Sequence, residues 1–479
     1  MAVQIQRFED WKTPIDMIFY SNLIPLLLLI SSVESARFLV YCPLFAHSHH
    51  TFLAKIADTF SEAGHNVTFL APIIVEGYEN IKYWKHTKDI IYIQPDEELK
   101  DLGKVMKSVE FSKYWTEDLT VFSMIPSIKL FQKMLFKIYE NFKKDLRVLD
   151  SLKNRKFDAI IYEVFAFNAI GALSPFGDKM AFEERLMNTL CSFIYGVLLR
   201  PPTMTSYKSP YKTIDLKIGG ISVNRTQMKQ EKLPLEFDKI MEIRKKTVLI
   251  SFGTIMLSKD MPEDYKINIL NVIESFPEVT FIWKYESDTF EEAKNTKNLY
   301  LFKWIPQTAL LADSRLHVFI THAGLGSVNE LSYMGKPALL VPLYADQSRN
   351  AKMLERHKGA ISIDKKDLAN FECLRNTFAD VLNNQSYKKH AELLARQLEL
   401  QPITPQELLL KHATFGAEFG ELPSLDPYSR EMSFFTFFMI DVYLFLFCSF
   451  VVSFYILFVV VRFLSRWMFR QQNQKQKTT

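Results

Sequence analysis

The apolar positions of the chain fall into two series of short runs separated by amphipathic stretches. In the first series, "ARFLVYC" (36–42) is a continuous apolar run of strand length, and "TFLAKIADTFSEAG" (51–64) spaces its apolar residues as a helix does and ends on Gly64. "NVTFLAP" (66–72) is a second strand-like run, so the order predicts a β-α-β unit with a parallel pair. A charged helical stretch over about 127–153 leads into "FDAIIYEV" (157–164), a run suited to the inside of a sheet. The second series is more regular: "TVLISFGT" (247–254), a helix over about 264–275, "VTFIWKY" (279–285), "LYLFKWIP" (299–306), "HVFITHAG" (317–324), a helix, and "PALLVPL" (337–343). Alternation at this interval predicts doubly wound sheets, hence an α/β fold of two Rossmann-like domains facing one cleft. The expected domains are 36–223 and 246–430, joined by a polar linker over 224–245. Between 165 and 216 the first domain offers only a helical pattern, "MAFEERLMNTLCSFIYGVLL", and a proline-rich loop, with no clear strand.

Two apolar segments bear on the compartment. "LIPLLLLI" (23–30) is too short to span a bilayer, and Val33 and Ser35 are placed for cleavage before Ala36, so 1–35 reads as a secretory signal peptide. Residues 1–16 carry two basic and three acidic side chains, an unusual leader start, and translation from Met17 would give a more ordinary one. "VYLFLFCSFVVSFYILFVVV" (442–461) has no charge, and as a helix it is roughly 30 Å long, the thickness of a hydrocarbon core. It reads as a single transmembrane helix. The tail 462–479 carries Arg462, Arg466, Arg470, Lys475 and Lys477, which sets it on the cytosolic side and leaves the domains luminal. Sequons at Asn66, Asn224 and Asn384 are compatible with that side. The final "KQKTT" resembles a dilysine-type retrieval signal, pointing to the endoplasmic reticulum membrane.

Composition narrows the function classes. The five basic residues of the tail exceed the formal net charge of +4, so the rest of the chain is slightly acidic and a nucleic-acid groove is not expected. Cys42, Cys191, Cys373 and Cys448 are scattered without C-x-x-C spacing, which argues against a disulfide framework or a zinc site.

The densest chemistry lies in "FITHAGLGSVNE" (319–330). Its glycines let the backbone approach a ligand, the following helix start can bind an anion, and His322 stands at a strand tip, where parallel sheets hold ligands. Ser327 and Glu330 also have S-x-x-E spacing, a capping box that needs no ligand. Two neighbours favour a site. "PALLVPLYADQ" (337–347) ends a strand on Asp346 and Gln347, and "WIPQ" (304–307) offers Trp304 to stack on a base and Gln307 to bond its edge.

Together these stretches resemble the donor-binding signature of the UDP-glycosyltransferases, and the chain is similar to membrane-anchored UDP-glucuronosyltransferases of the animal type, as an invertebrate member. The match is strong over about 245–470 and good over 36–72. The resemblance implies a GT-B arrangement and a UDP-sugar co-substrate, with no cofactor. Trp304 and Gln307 would hold the uracil and Glu330 the ribose. His322 and the backbone of Gly324, Gly326 and Ser327 would hold the diphosphate, bordered by Ser251 and Gly253. Asp346 and Gln347 would hold the sugar. Many relatives have asparagine where this chain has Gly326, so the contact there falls to main chain or Ser327.

In "CPLFAHSHHTF" the spacing to Gly64 selects His49, rather than His47 or His50, as the family's catalytic base. The acidic partner falls on Glu163, with Asp158 as the fallback and the more structural of the two. Three clustered histidines also suggest a metal, but the chain has no Asp-x-Asp motif and the family needs none. The implied reaction is base-catalysed and inverting, moving glucuronate or glucose to small lipophilic acceptors; homo- or hetero-oligomers with related transferases are the implied protein partners. The stretch from Glu163 to Gly219 is several tens of residues shorter than the resemblance implies, which raises a catalytically impaired paralogue as the alternative.

Overall fold

A computed structural model describes residues 2–6, 35–107, 109–118, 121–163, 214–217, 219–420, 433–437 and 439–475. The chain divides into two compact units, Met1–Gly420 and Glu421–Thr479. Among the described residues the first unit holds two six-stranded sheets.

The first sheet is built from β1 (Ala2–Gln6), β2 (Arg37–Tyr41), β3 (Asn66–Pro72), β4 (Asp89–Ile93), β5 (Ala159–Glu163) and β6 (Ile214–Lys217), in the order β4-β3-β2-β5-β1-β6. The four strands β2 to β5 run parallel, and β1 is antiparallel to both β5 and β6. Phe38, Val40, Ala159 and Ile161 are buried against Phe52, Ile56 and Phe60 of the helix His47–Glu62. Each such aromatic or branched side chain contributes about 1.5–3 kcal/mol on burial, which fixes this helix over the sheet.

The second sheet contains β7 (Lys246–Ser251), β8 (Val279–Lys284), β9 (Leu299–Phe302), β10 (Leu316–Thr321), β11 (Ala338–Leu340) and β12 (Ala360–Ser362). All its pairings are parallel, in the order β12-β11-β10-β7-β8-β9. Read from β9, that is the 3-2-1-4-5-6 order of a dinucleotide-type fold. The order reverses between β7 and β10 here, and between β2 and β5 in the first sheet. Both reversals leave a crevice at the carboxyl ends of the strands, where such sheets bind ligands.

Several expectations meet a different local structure. The segment 224–245 holds two short helices, Arg225–Gln230 and Leu235–Glu242, and Phe237, Ile240 and Met241 are buried against Leu249 and Leu310. The helix Pro405–Phe419, within the stretch assigned to the second domain, sends Leu409 and Ala413 into the core of the first sheet. The helical stretch over 127–153 is two helices, Val121–Lys144 and Leu146–Arg155, the second capped by Asp145 accepting from the Val148 N–H at 3.2 Å. β6 lies where no strand was expected, with only two apolar residues among its four. β1 lies inside the stretch read as a leader, so a chain cut before Ala36 lacks it. The segment 23–30 and the helical pattern over 180–199 lie outside the described residues.

The three sequon asparagines are exposed, and Asn224 and Asn384 cap helices through their side-chain oxygens. The second unit contains a short helix, Phe434–Phe437, and the helix Ile440–Lys475. Its Ile440–Arg466 portion, with mean hydropathy 2.8, is long and apolar enough to cross a membrane, and it contains the expected span 442–461.

Candidate active site

At the second crevice, His322 follows β10 and Gly253 follows β7. A Cβ on Gly253 would stand 2.8 Å from His322 Cε1 and Nε2, and one on Gly324 would stand 2.4 Å from Nε2. Only glycine at both places admits the ring, and Gly253 has φ +88° as well. The ring hydrogen-bonds the main chain of Ser251, and burial pulls its pKa down to about 4, with the Lys284 charge adding to the effect. His322 is therefore neutral at pH 7. Nothing stands within 4 Å of a Cβ on Gly326, the second residue of the helix Leu325–Met334, whose first N–H groups face the crevice end of β10.

The S-x-x-E spacing does not form a capping box. The helix starts at Leu325 with Gly324 as its N-cap, so Ser327 and Glu330 sit inside it. Both instead receive Gln307, whose Nε2 donates to Ser327 Oγ at 3.0 Å and to Glu330 Oε2 at 2.7 Å. The Glu330 carboxyl is pushed up to about 7, by burial first, with the Gln307 hydrogen bond opposing and Glu231 adding. Trp304, three residues before Gln307, is 62% exposed, which leaves its ring available to a stacking partner.

Asp346 and Gln347 lie after β11. Gln347 is buried and its Oε1 accepts from the Leu343 and Tyr344 N–H groups, both at 2.8 Å. Asp346 Oδ2 accepts from Asn350 Nδ2 at 2.8 Å, and the same nitrogen reaches Ala323 O at 3.1 Å. Asn350 thus ties the loop after β11 to the loop after β10. Ala323 and Ala345, one in each loop, have φ of +63° and +54°. Non-glycine residues in that region store strain that surrounding structure must hold, as functional loops often do.

Two members of this site were not found from the sequence. Asn350 is one. The other is Lys284, buried at the end of β8, with Nζ donating to Gly253 O at 2.7 Å and Glu286 Oε1 at 2.9 Å. A lysine closing a fully buried strand that is apolar but for Thr280 was its signal. Ser251 Oγ is buried without a hydrogen-bond partner among the described residues.

At the first crevice, the helix His47–Glu62 opens with the three histidines. His47 Nδ1 lies 2.7 Å from Tyr83 Oη, and its ring stands edge-on to Trp304 of the other domain with centroids 5.8 Å apart. Its pKa is lowered, by burial first and then by Lys284. His50, three residues on and so on the same helix face, is fully buried with its ring 3.8 Å from that of Tyr83. Burial pushes its pKa down to about 3. His49 points elsewhere, half-buried, with its ring 5.0 Å from that of Phe45. His47 and His50 thus meet at Tyr83 while His49 turns away, and among the described residues no three His, Cys, Asp or Glu side chains converge as a metal-ligand set.

Glu163 ends β5, one residue past the Tyr41–Tyr162 pairing, at the same end of the sheet as the histidines. Its side chain lies outside the described residues. Asp158 precedes β5 at the opposite end, where its Oδ2 accepts from the Arg37 N–H at 2.7 Å and Oδ1 from Arg37 Nη2 at 3.4 Å. Asp158 is a structural clamp.

Residues 207–476 match the family model described as UDP-glucoronosyl and UDP-glucosyl transferase. The chain is 24% identical to a putative UDP-glucuronosyltransferase, ugt-47, of Caenorhabditis briggsae, over 87% of this chain and 91% of that protein. It is 24% identical to UDP-glucuronosyltransferase 1A8 of Rattus norvegicus, over 87% and 89%. Among solved structures, it is similar to a UDP-glucosyltransferase from Polygonum tinctorium, with a TM-score of 0.51 and 14% identity over 80% of this chain and 99% of that one.

Proposed function

The chain belongs to the UDP-glucoronosyl and UDP-glucosyl transferase family, and from that premise we propose that it moves glucuronate or glucose from a UDP-sugar to small lipophilic acceptors, with inversion and without a metal. The observation that carries this reading is the Gln307 amide bonded to both Ser327 and Glu330, beside the exposed Trp304 and the glycine-flanked His322.

In this mechanism the uracil stacks on Trp304 and the ribose hydroxyls bond Glu330, so Gln307 exchanges one of its present bonds for the base edge. The diphosphate lies against neutral His322 and the first N–H groups of the helix Leu325–Met334, which need no proton transfer to stabilise the charge of the leaving group. Asp346 and the Gln347 amide nitrogen bond the sugar hydroxyls. His49 takes the acceptor hydroxyl's proton as its oxygen attacks the anomeric carbon, and Glu163 orients the imidazole and stabilises the imidazolium that forms.

We take the helix Ile440–Arg466 as the membrane anchor, with the basic tail cytosolic and both domains on the luminal face of the endoplasmic reticulum. The deciding experiment measures UDP release by the full chain in detergent, with UDP-glucuronate and UDP-glucose side by side and a broad panel of phenols and other lipophilic alcohols. Turnover that His49→Ala abolishes supports the reading. UDP binding without turnover of either donor would leave the alternative, an impaired paralogue that only binds UDP-sugar.

A further inference from the structure

The first domain sends one short turn into the core of the second. The 3-10 helix Val109–Trp115 ends in Tyr114 and Trp115, both fully buried in the cluster that contains Phe252, Met256 and Leu343. The Trp115 ring stands edge-on to Phe252 with centroids 5.1 Å apart, and the Tyr114 ring lies 4.5 Å from Tyr344 at 41°. Phe252 is the residue between Ser251 and Gly253. Tyr344 is two residues before Asp346, and its N–H is held by Gln347. The turn therefore backs both loops that face the sugar and the diphosphate.

Its attachment is polar as well as apolar. Lys365, 4% exposed in the 3-10 helix Lys365–Ala369, donates to Tyr114 O at 2.7 Å and also to Glu117 O. A buried cation on the last carbonyls of a helical turn satisfies acceptors that would otherwise be orphaned. The exposed Lys366–Asp118 pair beside it adds little.

We propose that Tyr114 and Trp115 are positioning residues for the donor: the first domain braces the loops 252–253 and 344–347 from behind, so UDP-sugar affinity depends on a contact between domains. This rests on the reading that those loops hold UDP-sugar. Its physical basis is the close packing of the brace. Phe252 and Tyr344 are held in place by rings from the other domain, and the loop of Tyr344 includes strained Ala345, which needs such support. Coupling through a packed contact is reciprocal, so whatever separates the domains weakens donor binding by the same factor that donor binding resists the separation.

The test titrates UDP into the purified full chain in detergent by calorimetry, for wild type, Trp115→Ala and Trp115→Phe. Trp115→Phe keeps an aromatic ring and drops an indole N–H that has no partner among the described residues. The proposal expects Trp115→Ala to raise the Kd for UDP and the donor KM by roughly 5- to 150-fold, the usual range of such coupling, with acceptor KM unchanged and Trp115→Phe near wild type. If Trp115→Ala does not fold, Lys365→Met takes its place, removing the two hydrogen bonds with little change of volume, and the same direction is expected. A folded variant that melts earlier yet binds UDP as wild type does overturns the brace, as does equal weakening in Trp115→Phe. A wild-type chain that binds no UDP overturns the donor-site reading itself.

Discussion

Gly324→Ala separates the geometry around His322 from the stability of the fold. Gly324 has φ −62° and ψ 143°, extended backbone that alanine adopts without strain. The substitution therefore perturbs only the space beside it. A methyl there would stand 2.4 Å from His322 Nε2 and 2.9 Å from Cε1, where an ordinary contact needs about 3.5 Å. The ring must give way by about 1 Å, and Gly253 flanks the same Cε1–Nε2 edge, so it leaves its place by rotating. Rotation weakens the hydrogen bond to the Ser251 main chain. Overpacking of this kind costs about 1–3 kcal/mol of stability, whereas a catalytic group displaced by about 1 Å costs about 10²-fold in rate. Initial rates of UDP release, measured with a thermal melt on the same preparation, should show a folded protein whose kcat/KM has fallen about 10²-fold. Gly326→Ala meets no atom within 4 Å and leaves the ring alone, so its loss should be at least about tenfold smaller. Wild-type kcat/KM in folded Gly324→Ala would refute the claim that His322 acts from this position.

Three further outcomes are expected. Glu330 has a folded pKa near 7 against an ordinary value of 4.5, so the native state keeps a proton that the unfolded chain loses in between, and stability falls as pH rises through that window. Glu330→Gln removes this dependence; its melting temperature relative to wild type should climb from about pH 4.5 to about pH 7 and then level off, and a difference independent of pH would contradict the assignment. Asp158→Ala strips the Arg37 N–H of its acceptor and should cost about 1 kcal/mol in chemical denaturation with kcat unchanged, because it stands at the opposite end of the strands from the histidines; a loss of turnover would make it more than a clamp. N-terminal sequencing of the membrane-bound protein should begin at Ala36, a cut that removes β1 and leaves β5 without its antiparallel neighbour; a mature chain beginning upstream would end the leader reading.

Most of the strands legible in the sequence are buried along most of their length, the outer strand β9 being an exception with four partly buried positions. β7 and β8 are nearly or wholly buried, and β2, β3 and β10 are buried through most of their length, so each is an apolar run with few breaks. β4 and β12 are outer strands of five and three residues with partly buried positions, and runs that short do not stand out from the loops around them. The site divides along a similar line. Glycines and strand-tip residues are visible because close backbone approach constrains residue type locally, and the structure draws His322, Gly253 and Gly324 together as that logic requires. Lys284, Asn350 and the Tyr114–Trp115 turn act on partners 27 to 251 residues away or across a domain boundary, and no local pattern encodes such a partner.

The same limit explains the S-x-x-E spacing, which suggested a self-contained cap. Ser327 and Glu330 do share a helix face, as that spacing demands, but the helix begins two residues earlier and the face is turned to Gln307 from 20 residues upstream. The three histidines make the converse case. Adjacent in sequence, they look like a ligand cluster, yet at about 100° per residue His47 and His50 fall to Tyr83 while His49 turns away. Helix phase thus gives these side chains different surroundings. His50 is committed to the core, His47 to the contact with Trp304, and His49 is left half-buried at the crevice end of β2, the condition a base needs if it is to meet an incoming hydroxyl.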